Sequence, residues 1–309
     1  SWLRSAQPTT PKSPGGRERR VIVDDGWVHV TEWGSPEADV TVVLTLGWTL
    51  SGRIWETVAA SMVEADPSLR VLAYDHRGHG NSFRPLVASI EHLADDLAAV
   101  IGDVVPRGRI VFGGHSLGGM TLMALAQRHP QMVAERTTGV AFVATSAGHL
   151  LGALRRVRGM EALLGMALML AGRLRTPSKP LFLVRQGARG GFGKSPRRYD
   201  LNRAVLQSAQ ADPRTVAALG RSILQHNRYD ALAAFHDLDA IVMAGTRDFL
   251  TSPAHAYRIA DYLPNSRVVV FQDAGHFLPY ERHREVAAQL LALTANARRV
   301  EASRIEVAG

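Results

Sequence analysis

The fold of this chain is decided by the stretch RIVFGGHSLGGM, Arg109 to Met120. An apolar run at residues 110–112 is typical of a buried strand, and the apolar spacing beyond the stretch indicates a helix. Ser116 falls at the junction. Gly114 and Gly118 flank it at the two positions where a side chain would collide with backbone in so sharp a turn. The pattern therefore predicts a nucleophile elbow.

A serine hydroxyl is a poor nucleophile at neutral pH, so it needs a histidine to take its proton and a carboxylate to orient that histidine. Asp248 follows the apolar run 241–244, and His276 follows the run 268–271. Each lies on a loop just past the end of a predicted strand. The chain order Ser, Asp, His on three such loops is what we expect when the loops of one sheet converge.

Length and composition indicate a globular protein. The chain has 309 residues, 46% of them apolar, which suits one large α/β domain with an insertion or two small domains. It contains no cysteine, which excludes disulfides, thiolate metal sites and a cysteine nucleophile. No stretch reaches the length of a membrane span. We expect a cytoplasmic protein, either free or membrane-associated, and the start at Ser1 reflects a removed upstream piece or a cloning boundary.

The chain divides into an arm, a core and a cap. Residues 1–20 are basic and rich in Pro and Gly, which predicts a disordered arm. Alternating strands and helices predict a core over 21–146 and 229–309, interrupted by a helical insertion at 147–228. A hairpin is predicted at 21–33, further strands at 40–46, 70–74, 110–112, 139–145, 238–244 and 267–271, and core helices at 54–64, 90–104, 119–128, 253–262 and 279–297.

This alternation predicts an α/β fold with a mostly parallel sheet and helices on both faces. Ligands of such sheets bind at the carboxyl ends of the strands, where Ser116 falls. An insertion at that edge, after the sixth strand, must lie over the site, so we expect 147–228 to form a cap.

Four separated motifs carry a family resemblance: Leu46-Gly47-Trp48, the run DHRGHGNS at 75–82, Gly114 to Gly118, and Ala274-Gly275-His276. Together they resemble the α/β-hydrolase fold family, in its capped lipase/esterase and haloperoxidase-like branch. The resemblance implies Ser116 as nucleophile, His276 as base and then acid, and Asp248 as the orienting carboxylate. It implies neither a metal nor a cofactor.

The tetrahedral intermediate needs two fixed donors for its oxyanion, and backbone N–H groups suit because they need no reorganisation. One is predicted at Leu117, and the resemblance assigns the second to Trp48. The family usually has His-Gly where this chain has Leu46-Gly47. The loop therefore lacks the hydrogen bonds of that histidine, and Thr45 or Thr49 is a hypothetical substitute.

Two other interpretations of polar residues stay open. Asp248 can be a helix cap for the segment that begins at Pro253, although it lies five residues early. Asp75, His76, Arg77 and His79 crowd one loop, which permits a metal site. In the family this loop serves structure, which favours the structural interpretation.

A serine nucleophile excludes the epoxide-opening and dehalogenating relatives, which need an ester on a carboxylate. Acyl transfer to water remains. An ester is favoured as substrate, followed by a thioester or lactone, then an amide. The alternatives are a thioesterase or transacylase acting on carrier-linked acyl groups, and a catalytically idle protein that binds a lipophilic ligand.

The cap region is strongly basic. Residues 151–210 contain twelve Lys or Arg against Glu161 and Asp200, a net charge of twelve minus two, or +10, whereas the whole chain carries +8. The basicity is local, so it does not indicate nucleic-acid binding. Within it, Met160 to Leu170 is almost wholly apolar. It forms either an interfacial helix on an anionic membrane or the roof of an apolar pocket, and both predict a lipid-like substrate. The glycine-rich run 187–193 is a candidate lid hinge.

Overall fold

The computed structural model describes residues 16–150, 163, 165–167, 170 and 181–308. The strands are β1 (Arg17–Val23), β2 (Gly26–Gly34), β3 (Val40–Thr45), β4 (Arg70–Tyr74), β5 (Arg109–His115), β6 (Thr137–Val143), β7 (Asp239–Gly245) and β8 (Ser266–Phe271). The described α-helices are α1 (Glu56–Ala65), α2 (Ile90–Val104), α3 (Leu117–Arg128), α4 (Pro130–Arg136), α5 (Leu181–Ala188), α6 (Arg198–Gln210), α7 (Pro213–Gln225), α8 (Pro253–Ala260), α9 (Leu278–Glu281) and α10 (His283–Ala308).

The eight strands form one sheet in the order β1-β2-β4-β3-β5-β6-β7-β8. The pairs β1–β2 and β2–β4 are antiparallel, and every later pair is parallel. The predicted α/β class with a mostly parallel sheet is confirmed. Since β5, β7 and β8 run in the same direction, the loops that follow them emerge at one edge of the sheet.

Helices cover both faces of the sheet. The apolar residues of α1 and α10 belong to one core cluster, and those of α2, α3 and α8 belong to the other. The central strand β3 is buried along its whole length, because a parallel strand covered on both faces has no solvent side. Its residues are accordingly apolar or small, and Thr41 and Thr45 are buried with the rest.

The prediction that residues 1–20 form a disordered arm is wrong for the last residues of that range. Residues 1–15 lie outside the described part, but Arg17–Val23 form β1, paired with β2. An edge strand gains backbone hydrogen bonds from its neighbour without burying side chains, so a polar composition does not prevent it from forming. Arg19 pairs with Asp103, and the Arg20 guanidinium lies 4.0 Å above the Trp27 ring.

Between β6 and β7 the described secondary structure is mainly helical: residues 163, 165–167 and 170, the helices α5, α6 and α7, and the 3₁₀ helices Arg189–Gly191 and Tyr229–Phe235. Most of residues 151–180 lie outside the described part. Two further features depart from the sequence prediction. Helix α4 is additional, and the last helical region is split into α9 and α10, which continues to Ala308.

Candidate active site

Ser116 occupies a strained turn between β5 and α3. Its backbone has φ 53° and ψ −117°, a conformation that is uncommon for any residue other than glycine. Two neighbours hold the strained residue in place. The Ser116 N–H donates to the Val143 carbonyl at 2.9 Å, and the Thr145 hydroxyl donates to the Ser116 carbonyl at 2.6 Å. Both partners lie at the end of the adjacent strand β6, so the sheet itself fixes the turn.

Glycine is required on both sides of this turn. A Cβ at Gly114 would lie 2.7 Å from the Gly119 backbone nitrogen, and one at Gly118 would lie 2.5 Å from the Thr45 carbonyl oxygen. Real Cβ atoms do not approach backbone so closely, so any side chain would push α3 away from β3 or β5. The two glycines therefore allow the close packing that exposes the serine hydroxyl.

Three side chains predicted from separate parts of the sequence meet in one hydrogen-bonded row. The Ser116 Oγ lies 2.9 Å from His276 Nε2, and His276 Nδ1 lies 2.8 Å from Asp248 Oδ2. They extend from the loops after β5, β8 and β7, at the same edge of the sheet. When His276 Nδ1 carries the proton and donates it to the carboxylate, Nε2 has no proton. Nε2 can then accept the proton of the Ser116 hydroxyl.

The Asp248 carboxylate is buried and hydrogen-bonded on both oxygens. Oδ1 accepts from the Leu250 and Thr251 backbone N–H groups, each at 2.9 Å, and Oδ2 accepts from the Thr251 hydroxyl at 2.8 Å. Burial alone would raise the pKa of Asp248, but His276 and the Thr251 hydrogen bonds lower it below its ordinary value. The group is thus held as an anion beside the imidazole. Sequence reasoning missed Thr251, since no motif marks it.

Asp248 does not cap the helix that begins at Pro253. The residue at the N-cap position of α8 is Ser252. The hydrogen bonds of Asp248 within residues 248–251 form a local turn, and its remaining bond goes to His276. The helix-cap interpretation is therefore wrong.

The loop that carries His276 is held by Glu281, another residue that sequence reasoning missed. Glu281 Oε2 accepts from the Gly275 N–H at 3.0 Å and the Gly193 N–H at 2.7 Å, and Oε1 accepts from the Phe277 N–H at 3.1 Å. The residues on both sides of His276 are therefore bound to one carboxyl group. Burial raises the pKa of Glu281 even though these three N–H groups favour its charged form.

The glycine-rich run 187–193, predicted as a candidate lid hinge, packs directly on the His276 loop. The His276 N–H donates to the Gly191 carbonyl at 2.8 Å, and the Phe192 and Phe277 rings stack at 4.4 Å. A Cβ at Gly193 would lie 2.0 Å from the Asp273 carbonyl oxygen. Close backbone contact with the His276 loop accounts for the glycine at this position.

The two predicted oxyanion donors follow β5 and β3, two strands that pair directly in the sheet. Leu117 is the first residue of α3, and Trp48 lies in the turn after β3. Within the described part of the chain, neither backbone N–H has a hydrogen-bond partner. The Trp48 indole donates to the Val216 carbonyl of α7 at 2.8 Å, so this residue is tied to the cap. Both N–H groups are thus available to a ligand.

Of the two threonines proposed to replace the family histidine, neither hydroxyl does so in the oxyanion turn. The Thr45 hydroxyl donates to the Gly113 carbonyl of β5 at 3.3 Å, which joins two strands. The Thr49 backbone N–H, and not its hydroxyl, makes the contact within the turn, to His79 Nε2 at 3.2 Å.

The loop that permitted a metal interpretation uses its charged groups in protein contacts. Asp75 accepts from the backbone N–H groups of Gly52 at 2.7 Å and Asn81 at 2.8 Å. Arg77 is buried and makes a two-point ion pair with Asp96, both bonds being 2.7 Å. Among the described residues, no group of three or more His, Asp or Glu side chains is placed to hold a metal ion.

A cavity of about 360 Å³ opens over Ser116 and His276. Its wall is mostly apolar, so it suits a lipophilic group of moderate size. Apart from Ser116 and His276, the wall consists of Gly47, Trp48, Thr49, Leu50, His115, Met120, Leu150, Gly220, Ile223, Leu224, Leu250, Thr251 and Phe277. Leu150 and the α7 residues Gly220, Ile223 and Leu224 belong to the cap and the others to the core, so the described part of the cap forms one side of the site.

Residues 40–283 match the family model described as the alpha/beta hydrolase fold. This chain belongs to the α/β-hydrolase family. Similar proteins include the 2-(acetamidomethylene)succinate hydrolase of Mesorhizobium japonicum, which is 26% identical over 84% of this chain and 88% of that protein. The bifunctional esterase/perhydrolase of Acinetobacter calcoaceticus is 35% identical, but the match covers 36% of this chain and 39% of that protein.

Among solved structures, a thermophilic esterase from Thermogutta terrifontis is similar, with a TM-score of 0.71 and 22% identity over 92% of this chain and 99% of that one. At this identity the likeness shows the fold alone. The chain spans about two fifths of the length of the first curated relatives that it matches. The family match establishes that the chain is an α/β-hydrolase, and the structural match shows that an esterase shares its fold.

Proposed function

We propose that this α/β-hydrolase cleaves carboxylic esters of small to medium lipophilic substrates through an acyl-enzyme on Ser116. The observation that carries the proposal is the continuous row from Ser116 Oγ through His276 to Asp248, with bonds of 2.9 and 2.8 Å, at the base of an apolar cavity. A hydroxyl, an imidazole and a carboxylate at these distances are what nucleophilic acyl transfer requires.

In the proposed reaction, Ser116 Oγ attacks the ester carbonyl while its proton passes to His276 Nε2. The resulting oxyanion accepts hydrogen bonds from the Trp48 and Leu117 N–H groups. The C–O bond to the alcohol then breaks, and His276 returns the proton to the leaving alcohol. Water then attacks the acyl-enzyme carbonyl while His276 takes its proton, and when the bond from the acyl carbon to Ser116 Oγ breaks, His276 returns that proton to Oγ and the acid is released. Asp248 stabilises the imidazolium in both halves.

The apolar wall supports the substrate class. Trp48, Met120, Ile223 and Phe277 give the cavity a lipophilic lining next to the serine, and its volume of about 360 Å³ suits a moderate acyl or alcohol chain. Hydrolysis of a series of p-nitrophenyl esters of increasing chain length measures which chain length the cavity accepts. We expect kcat/KM to rise with chain length and then fall when the chain exceeds the cavity.

The test of the mechanism is labelling by a fluorophosphonate probe together with ester turnover. Wild-type protein should be labelled, and Ser116→Ala should not. His276→Ala should lower turnover by about 1,000-fold or more. An unlabelled wild-type protein would support the idle ligand-binding alternative, for which Leu46 in place of the family histidine is the main argument. Comparison of an acyl-CoA with a neutral ester of the same acyl group tests the thioesterase alternative.

We also propose that the cap contacts anionic membrane surfaces. Among the described residues of the apolar segment, Leu163, Met166 and Leu170 are 56%, 52% and 52% exposed. Their spacing of three and four residues places them on one helix face. The surrounding sequence carries a net +10, which complements anionic head groups. No helix in the described ranges is long and apolar enough to cross a bilayer, so the proposed contact is peripheral.

Co-sedimentation with phosphatidylserine-containing vesicles tests this contact. Binding should be present at low salt and weaken as salt increases, because the attraction is screened. Leu163→Glu with Met166→Glu should reduce binding. Leu86→Glu with Val87→Glu is the matched control, since it introduces the same charge at two exposed residues in a loop outside the cap. Equal binding by both variants, or no binding at low salt, would refute the proposal.

A further inference from the structure

Residues 46–49 form the oxyanion turn, which lacks the histidine that α/β-hydrolases usually have at its start. Leu46 takes that position, and its side chain is fully buried in the core. The turn nevertheless contains a strained residue, because Thr49 has φ 66°. A β-branched residue at positive φ costs about 1–3 kcal/mol and persists only where surrounding contacts enforce it. Some part of the protein must therefore hold the turn.

The enforcing contacts come from the loop after β4. His76 Nε2 lies 3.1 Å from the Leu46 carbonyl oxygen, and His79 Nε2 lies 3.2 Å from the Thr49 backbone nitrogen. Both histidines are completely buried. They reach the two ends of the oxyanion turn from one neighbouring loop.

The hydrogen-bond partners define the protonation of each ring. The Leu46 carbonyl can only accept, so His76 donates from Nε2. The Thr49 N–H can only donate, so His79 accepts at Nε2, and its Nδ1–H donates to the Arg77 carbonyl at 3.0 Å. Burial lowers the pKa of His76 to about 3 and also lowers that of His79. Both rings are therefore neutral, as these bonds require.

The positions of the two bonds matter for the oxyanion donor. The Trp48 N–H belongs to the peptide unit between Gly47 and Trp48. His76 holds the preceding unit through the Leu46 carbonyl, and His79 holds the following unit through the Thr49 N–H. Because peptide units are planar, fixing the units on both sides leaves little freedom to the one between them. The two histidine bonds, together with the bond from the Leu50 N–H to the Gly47 carbonyl at 3.2 Å, set the orientation of the Trp48 N–H.

We propose that His79, together with His76, positions the Trp48 oxyanion donor in a turn that lacks the usual family histidine. This inference rests on the proposed ester hydrolysis. In that reaction His79 does not contact the reacting atoms. His79 acts through the backbone of Thr49 and is therefore a positioning residue.

Two substitutions separate the bonds of His79. Glutamine places an oxygen near the Nε2 position and can still accept from Thr49, whereas asparagine places an N–H near Nδ1 and keeps only the bond to Arg77. Each variant loses one of the two buried hydrogen bonds of His79. We expect His79→Asn to lower kcat by about 10- to 100-fold, less than the about 100- to 1,000-fold for complete loss of an oxyanion donor. We expect His79→Gln to stay within about 3-fold of wild type.

The kinetic signature distinguishes positioning from general damage. In His79→Asn, KM should change little, while affinity for an alkyl boronic acid, whose tetrahedral adduct occupies the oxyanion site, should fall in parallel with kcat. Equal kcat values in the Asn and Gln variants would overturn the proposal. So would a loss in His79→Asn that appears in KM alone.

Hydrogen exchange separates this inference from the proposed function. The Thr49 amide should exchange faster in His79→Asn than in His79→Gln or wild type, whether or not the protein hydrolyses esters. If wild type neither reacts with the fluorophosphonate nor hydrolyses esters, the proposed function fails. Equal exchange at Thr49 in both variants would instead refute the positioning role.

Discussion

Removing the Glu281 carboxyl should both destabilise the protein and displace His276, the proposed catalytic base. In Glu281→Ala three backbone donors, those of Gly193, Gly275 and Phe277, lose acceptors at 2.7, 3.0 and 3.1 Å. Each unsatisfied buried donor costs about 1–3 kcal/mol. Glu281 borders a second, polar cavity of about 480 Å³ that can admit water, so we expect the lower end, about 3 kcal/mol in total.

The effect on turnover follows from the position of His276 between Gly275 and Phe277. A displacement of about 1 Å in a catalytic group can cost about 100-fold in rate. We therefore expect kcat of Glu281→Ala to fall by about 30- to 100-fold at a temperature where the variant is still folded. Urea unfolding gives the stability change, and p-nitrophenyl ester hydrolysis gives kcat.

Glu285→Ala is the matched control for this variant. It removes the same charge four residues later, but the Glu285 side chain is 55% exposed and its nearest cation, Arg282, is 4.0 Å away. Such a pair contributes little to stability. Wild-type kcat in a folded Glu281→Ala protein would refute the role of this carboxyl in placing His276, and unchanged unfolding in urea would refute the hydrogen-bond argument.

Two further predictions concern packing and pH. Gly118→Ala should lower kcat by about 100-fold and the free energy of unfolding by about 1–3 kcal/mol, because the new Cβ would lie 2.5 Å from the β3 carbonyl oxygen of Thr45. Gly102→Ala is the control: a Cβ there has no atom within 4 Å, so neither kcat nor stability should fall. Burial lowers the pKa of His76 and His115 to about 3 and of His226 to about 4, from 6.5. Below pH 6.5 the unfolded chain binds more protons, so these groups should together lower stability by about 4 kcal/mol at pH 5.5 relative to pH 7.5. The pKa of His29 is raised by its hydrogen bond to Asp75, so His29 offsets part of this loss of stability. If the urea concentration at half-unfolding is the same at pH 5.5 and pH 7.5, the three histidines are not buried in the neutral form.

The fold could be predicted from the sequence because its signals are local. Continuous apolar runs mark buried parallel strands, helical spacing marks the helices between them, and the alternation of the two dictates a covered sheet. The positions of Ser116, Asp248 and His276 just past the strand ends could also be predicted, because parallel strands bring the loops that follow them to one edge of the sheet. These features depend on the chain neighbours of each residue and on a general rule of sheet geometry.

Other features were decided only by the tertiary structure. Strand β1 forms from a polar segment because β2 offers it hydrogen-bond partners, which no composition reveals. Glu281 and Thr251 support the row of Ser116, His276 and Asp248 through hydrogen bonds, and His79 accepts from the Thr49 N–H. Nothing in the sequence around these residues indicates the contacts. A hydrogen bond requires an approach of about 3 Å. Only the packed sheet and cap determine which loops come that close.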